Sequence, residues 1–107
     1  MTASHLITEA QFQDTVTEYA TLRGWRWTHF RPAKTDKGWR TPLQGSRGFP
    51  DLVLVRGLRL IFAEVKSERG ILSADQKEWQ DDLELVPEIE YYLWRPSDWD
   101  KIEAVLY

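Results

Sequence analysis

The chain has 107 residues, 42% of them hydrophobic and 13% aromatic, with a formal net charge of -3, which predicts one domain spanning residues 1–107. It has no cysteine, which excludes disulfides, thiolate zinc sites and cysteine nucleophiles. Because it has only two histidines, any metal site is expected to use carboxylates, which are the preferred ligands of Mg²⁺ or Mn²⁺. No run is long enough to span a membrane and the first residues lack a secretory pattern, so we expect a cytoplasmic protein.

The first half of the chain predicts a helix, a strand and a loop. Thr8 and Gln11 have the spacing of a capping box, and apolar residues follow at helical spacing, which predicts a helix over about 8–23. The aromatic, alternating residues 25–31 predict a strand. Residues 32–48 contain two prolines and three glycines without periodicity, which predicts a long exposed loop.

The second half predicts three strands and two helices. Ser73 and Gln76 form a second capping-box pattern, and the helix that follows is expected to place Trp79, Leu83 and Val86 on one face before Pro87 ends it. Ser97 is expected to cap a short last helix. The predicted strands are about 50–56, 59–66 and 89–95. The order helix, strand, strand, strand, helix, strand, helix indicates an α/β fold, a central mixed β-sheet flanked by helices.

The two central strands predict a charged site at the edge of an apolar sheet. If Gly57 and Leu58 form a type II′ turn, the register places Asp51 opposite Glu64, with Lys66 on the same face. Both faces of these strands are apolar, so we expect both to be covered. Two facing carboxylates repel each other, and a divalent cation between them would resolve the conflict. The alternative is that Asp51 only caps a strand end while Glu64 pairs with Lys66 or Arg69 on the surface.

The motifs in this region resemble those of a nuclease family. "PD" at 50–51 and "EVK" at 64–66, after a hydrophobic hairpin, resemble the PD-(D/E)xK nuclease superfamily. The longer string "GFPDLVLVRGLRLIFAEVKSERGILSADQKEW" is similar to its VRR-NUC group, and "TEAQFQ" and "WRPSDWD" are similar to the small stand-alone VRR-NUC proteins of phages and bacteria. The resemblance implies a restriction-endonuclease-like core, and it places the protein in the cytoplasm of a bacterium or of a phage-infected host.

The resemblance also implies a role for each site residue. Asp51 and Glu64 would hold Mg²⁺ or Mn²⁺, together with the carbonyl of Val65. Lys66 would position or activate the attacking water and stabilise charge on the phosphate.

Two further catalytic candidates have structural alternatives. Glu9 matches an acidic residue on the first helix of the family, which binds metal directly or through water; alternatively it only complements the helix dipole. Gln76 matches a glutamine near the active site; alternatively it serves only the capping box with Ser73. We expect that one side chain cannot fully serve both purposes.

The predicted loop is rich in cations, although the whole chain is acidic. Residues 23–69 carry eleven Lys or Arg against four Asp or Glu, whereas residues 75–103 carry three against ten. This division indicates a local anion-binding face, unless the two segments pair with each other in the fold. Cations around a tryptophan suit contact with a DNA backbone and stacking on a base. The candidate DNA-binding residues are Arg31, Lys34, Lys37, Trp39, Arg40 and Arg47.

Together these features predict a metal-dependent DNA endonuclease. The resemblance implies cleavage of branched DNA, such as a four-way Holliday junction, by a homodimer. The alternative of a different class is a non-catalytic module that binds DNA or a protein partner and retains the nuclease fold.

Overall fold

A mixed four-stranded sheet carries three helices in the computed structural model, which describes residues 7–30, 33–35, 38–40 and 44–107. The elements are α1 (Glu9–Leu22), β1 (Arg26–His29), β2 (Ala33–Thr35), β3 (Gly38–Arg40), β4 (Leu52–Arg56), β5 (Arg59–Val65), α2 (Ala74–Glu84), β6 (Glu90–Trp94) and α3 (Trp99–Leu106). The strand order is β1-β4-β5-β6; β4 is antiparallel to β1 and β5, and β6 is parallel to β5. The α/β class and the mixed sheet are therefore confirmed.

The segment predicted as a structureless loop contains a small hairpin. Strands β2 and β3 pair antiparallel, with Lys34 opposite Trp39, and form a separate two-stranded sheet. The prediction of an uninterrupted loop over residues 32–48 was therefore wrong. Strands of three residues are too short to display the alternation by which a strand is recognised.

The register of the central hairpin is confirmed. Arg56 pairs with Arg59 and Leu52 with Ala63, as the two-residue turn requires. Gly57 has a φ of 59°, and none of the described residues other than glycine has a positive φ, so Leu58 suits the second position of a type II′ turn. The turn therefore fixes which side chains share each face of the sheet.

One face of the sheet carries the buried core and the other is partly open. Helices α1 and α3 contribute Phe12, Val16 and Ile102 to the core on the buried face. On the other face Val55 remains 40% exposed, and α2 contributes no buried residue. β4 and β5 are central, as predicted, but the expectation that both faces are covered was wrong. The apolar strand residues that are fully buried are Leu52, Leu54, Ile61, Ala63 and Val65.

Both predicted capping boxes are present, but two helix boundaries differ from prediction. Helix α2 ends at Glu84, so Val86 lies beyond it. Ser97 does not cap the last helix: it lies in a 3₁₀ turn, Pro96–Asp98, and its hydroxyl and N–H donate to Glu68. Ser97 therefore bonds an acceptor that is distant in sequence instead of capping its own helix, and rules based on neighbouring residues do not detect such a bond. None of the helices in the described part of the chain is both long and apolar enough to cross a membrane.

An ion pair ties β5 to β6 and predicts a pH-dependent stability. Arg59 donates from Nε and Nη2 to both oxygens of Glu90, at 2.8 and 2.6 Å, and this pairing lowers the pKa of Glu90. A lowered folded-state pKa stabilises the protein above the carboxyl's ordinary value, and the contribution is lost as the pH falls through the lowered value. Because both groups are partly exposed, Glu90→Gln is expected to reduce the free energy of unfolding by about 0.5–1 kcal/mol at pH 7.

Urea denaturation at pH 7 and at pH 3 measures this contribution. The loss caused by Glu90→Gln should shrink at pH 3, while the exposed control Glu88→Gln should stay near wild type at both pH values. An equal loss from Glu90→Gln at both pH values would contradict the role of the ion pair.

Candidate active site

Two carboxylates meet where β4 begins and β5 ends. Asp51 directly precedes β4 and is the next residue in the register towards Glu64, after the pair Leu52 and Ala63. The two carboxyl groups lie within hydrogen-bonding range of each other. Glu64 is only 1% exposed, although it projects from the less covered face of the sheet. The turn chemistry therefore brings together the two acids that the sequence predicted as a pair.

The electrostatics of Glu64 indicate an acid in an environment that disfavours its charge. Burial is the main cause that raises its pKa to about 9, and the hydrogen bond and negative charge of Asp51 raise it further. Lys66 acts in the opposite direction, and the charge of Glu9 adds to the increase. A positive ion beside this pair would offset both burial and repulsion.

Lys66 follows β5 and lies beside Glu64. Its Nζ is 3.9 Å from Oε2 of Glu64, close enough for an ion pair but too long for a hydrogen bond. The Lys66 side chain is 14% exposed. Its backbone N–H donates to the carbonyl of Trp94 at 3.0 Å, which extends the pairing with β6. The ammonium therefore lies at the edge of the site and can interact with a bound anion.

The amide of Gln76 serves the helix cap and the site at the same time. Its Oε1 accepts from the backbone N–H of Ser73 at 2.9 Å, and its Nε2 donates to Oε2 of Glu64 at 3.0 Å. The expectation that one side chain could not serve both was wrong, because an amide has an acceptor and donors on different atoms. The start of α2 is thereby bonded directly to the buried acid.

The backbone of Val65 orients Asp51. Its N–H donates to Oδ2 of Asp51 at 3.3 Å. The N–H and C=O of one strand residue project towards the same neighbouring strand, so the Val65 carbonyl also faces the Asp51 side. The Val65 side chain is fully buried on the opposite face. This placement is compatible with the carbonyl as a further ligand.

Glu9 approaches the site from the first turn of α1. The pKa of Glu9 is raised, mainly by partial burial and to a smaller extent by the charge of Asp51. The charge of Lys66 and a hydrogen bond from the N–H of Ser67 act against this increase. Phe12, Val16 and Ala20, which share its helical face, are buried. Glu9 thus lies near the site and also at the helix start, so both of its proposed roles stay open.

Tyr91 belongs to the same face and was missed in the sequence. It pairs with Phe62 in the parallel register, so it projects to the side of Glu64. Burial raises the pKa of its hydroxyl, and the charges of Glu64, Glu84 and Asp51 raise it further. The hydroxyl therefore stays protonated and can act as a hydrogen-bond donor. Only the parallel register reveals this placement, and pairing of distant strands has no local sequence signal.

The segment that leads into Asp51 packs tightly on α2. Gly48 has a φ of +89°, and a Cβ at this position would lie 2.5 Å from the carbonyl carbon of Asp75 and 2.6 Å from the nitrogen of Gln76. The ring of Phe49 makes edge contacts with Phe62 and Trp79. Trp79 Nε1 also donates to the carbonyl of Arg47 at 2.9 Å. These contacts fix the start of α2 relative to Asp51.

Gly48→Ala is therefore expected to be strongly destabilising. The added methyl group clashes with backbone and the positive φ is strained, which together should reduce the free energy of unfolding by about 2–4 kcal/mol. The matched control is Gly45→Ala, because Gly45 has a φ of +93° with nothing within 4 Å of a Cβ. Denaturant unfolding of the two variants separates the effects, because Gly45→Ala adds only backbone strain whereas Gly48→Ala also adds the clash with α2. Equal losses in the free energy of unfolding would contradict the packing role of Gly48.

The candidate DNA-binding residues are only partly described. Arg31 and Lys37 lie outside the described residues. Lys34, Trp39 and Arg40 lie on the β2–β3 hairpin, where the structure describes the backbone. Arg47 is exposed and lines a cavity of about 290 Å³ beside α2. The other residues that line this cavity are Ser46, Asp75, Glu78, Trp79 and Asp82.

The donor set suits a hard divalent cation. Asp51 and Glu64 supply two carboxylates and Val65 a carbonyl, which are the oxygen ligands that Mg²⁺ and Mn²⁺ accept. Among residues 7–30 and 44–107 no group of three or more His, Asp or Glu side chains is close enough to form a metal site by itself. A cation held by Asp51 and Glu64 would therefore also need backbone or water oxygens as ligands.

Comparisons of the chain with protein-family models, with curated proteins and with solved structures found no match. The functional interpretation therefore depends on the residues and geometry of this chain.

Proposed function

We propose that the protein is a metal-dependent DNA endonuclease of the PD-(D/E)xK type. The observation that carries the proposal is the arrangement of three side chains: the buried Glu64 at the end of β5, the partly buried Asp51 just before β4, and the Lys66 ammonium 3.9 Å from Glu64. An arrangement that raises the pKa of an acid to about 9 is costly for folding, and such costs are concentrated at functional sites.

Each residue of the site has its own role in the proposed phosphodiester hydrolysis. A divalent cation held by Asp51 and Glu64 would lower the pKa of a water and offset charge on the phosphate. Lys66 donates hydrogen bonds to the phosphate oxygen on which charge develops, an interaction that is stronger at a mostly buried site than in water. Gln76 holds Oε2 of Glu64, and the Val65 N–H holds Oδ2 of Asp51. Each carboxylate is thereby fixed through one oxygen, and its other oxygen can face the cation.

The finer parts of the proposal are the substrate and the assembly. We propose branched DNA, such as a four-way junction, as substrate and a homodimer as the active form, because one small domain with one site cuts one strand at a time. These two parts rest on the sequence resemblance. Light scattering on the purified protein measures the assembly, and a monomer at the concentration that cleaves junctions would contradict the homodimer.

The test of the activity is cleavage of labelled DNA by the purified protein. Junction, flap, single-stranded and linear duplex substrates are each incubated with Mg²⁺, with Mn²⁺ or with EDTA. We expect cleavage with either metal and none with EDTA, with the junction cut fastest. If the protein shifts DNA in a gel equally well with EDTA and Mg²⁺ and leaves it intact, the non-catalytic module is correct and the endonuclease proposal is wrong.

A further inference from the structure

The segment after the Glu-x-Lys motif folds back onto the stem of Lys66. We call residues 67–70 the 67–70 turn; its ends are joined by a hydrogen bond from the Gly70 N–H to the Ser67 carbonyl at 3.1 Å. A Cβ at Gly70 would lie 3.3 Å from Cδ and 3.4 Å from Cβ of Lys66. The Cα of Gly70 therefore faces the aliphatic part of the lysine and leaves little room between them.

A guanidinium holds this turn to the end of the sheet. Arg95 follows β6, and its Nη1 donates to the carbonyls of Ser67 at 2.9 Å and Gly70 at 2.6 Å. These are the residues that close the turn. Charged donors make stronger hydrogen bonds than neutral ones, so one side chain fixes both ends of the 67–70 turn.

A carboxylate provides a second attachment from within the turn. Glu68 accepts from the Ser97 N–H at 2.9 Å and from the Ser97 hydroxyl at 2.7 Å. Ser97 lies in the 3₁₀ turn Pro96–Asp98, immediately before α3. The 67–70 turn is thus bonded at three of its residues to the chain that links β6 to α3.

These attachments matter because a lysine side chain is long and flexible. The ion pair of Lys66 with Glu64 is 3.9 Å long and by itself restrains the ammonium weakly. Displacement of the reacting groups by about 1 Å can reduce a reaction rate about 10²-fold. The close approach of Gly70 to the lysine stem therefore restricts the positions that the ammonium can reach.

We propose that Arg95 and Glu68 are positioning residues that hold the 67–70 turn against Lys66 and so fix the ammonium beside Glu64. The effect on cleavage rests on the proposed function; the effect on the position of Lys66 does not. The substitution that tests the proposal is Glu68→Ala, which removes both bonds to Ser97. Glu68→Gln is the conservative comparison: its amide oxygen can accept from the Ser97 N–H, and its amide nitrogen can donate to the Ser97 hydroxyl oxygen. Glu88→Ala, at an exposed acid, is the control.

The first readout is the reactivity of Lys66 towards acetic anhydride in the folded protein, measured by mass spectrometry relative to the exposed Lys77 of the same molecule. In Glu68→Ala this ratio should rise about threefold or more, because the turn opens locally and exposes the lysine. Glu68→Gln and Glu88→Ala should match wild type. A wild-type ratio in folded Glu68→Ala would overturn the proposal.

The second readout is steady-state cleavage at saturating metal. In Glu68→Ala we expect kcat to fall about tenfold or more while KM stays within about twofold, since the lysine acts on the transition state rather than on DNA binding. Restoration of kcat by Glu68→Gln would support the proposal. A raised labelling ratio with unchanged kcat would overturn the positioning role. If wild type cleaves no substrate, the proposed function fails, and the labelling ratio alone decides whether the turn positions Lys66.

Discussion

Lys66→Ala is expected to reduce the rate of DNA cleavage by about 10²–10³-fold, because one preorganised donor at a transition state contributes on that scale. DNA affinity in the presence of metal should stay close to that of wild type, since the basic residues proposed to contact DNA are unchanged. Single-turnover cleavage and gel shifts measure the two quantities separately. Asp51→Asn should be equally inactive, because it removes one of two carboxylates proposed to hold the cation.

The matched control for this prediction is Lys77→Ala. Lys77 lies on α2, its side chain is 59% exposed, and it pairs with Asp81 at 3.1 Å. Its loss should leave the cleavage rate unchanged. Cleavage by Lys66→Ala or Asp51→Asn at a rate within about tenfold of wild type would show that these residues do not carry the reaction.

Glu64→Gln is expected to stabilise the metal-free protein while it abolishes stabilisation by metal. The neutral amide can accept a hydrogen bond from Gln76 and donate one to Asp51, as the protonated acid can. It also needs no proton uptake on folding, whereas a pKa of about 9 imposes that cost on Glu64 at pH 7. In EDTA we expect the free energy of unfolding to rise by about 2 kcal/mol. For wild type, Mg²⁺ or Mn²⁺ at 100 times its Kd should add about 2.7 kcal/mol.

Thermal unfolding with EDTA and with each metal compares the two proteins. The melting temperature of Glu64→Gln should exceed that of wild type in EDTA and should not respond to metal. Glu78→Gln, at an exposed acid of the same helix α2, should respond to metal as wild type does. A Glu64→Gln variant that is less stable than wild type in EDTA would contradict the view that the acid is strained in the metal-free protein.

Much of the fold could be predicted because its signals are local. The capping boxes at Thr8 and Ser73 and the Gly57 turn each depend on residues within a few positions, and all three are present. The register then follows from the turn, which is why Asp51 and Glu64 could be paired from sequence. The β2–β3 hairpin was missed because each of its strands has only three residues.

The parts of the site that could not be predicted depend on contacts between distant residues. Ser97 bonds Glu68 instead of capping α3, and Arg95 bonds the 67–70 turn. Tyr91 faces the acids only because β6 is parallel to β5 with Phe62 opposite it. No short motif encodes these relations. Gln76 is a different case. Both of its roles were expected from the sequence, but they were taken to exclude each other, although the amide oxygen and the amide nitrogen can serve one role each.

The double role of Gln76 makes the integrity of the site depend on the stability of one helix. α2 buries none of its residues, so its opening exposes little apolar surface and should need less free energy than global unfolding. Each opening that breaks the Ser73 cap would also remove the amide from Glu64. Amide hydrogen exchange in α2 should therefore slow when a cation binds between the acids, although α2 itself supplies no carboxylate to that cation.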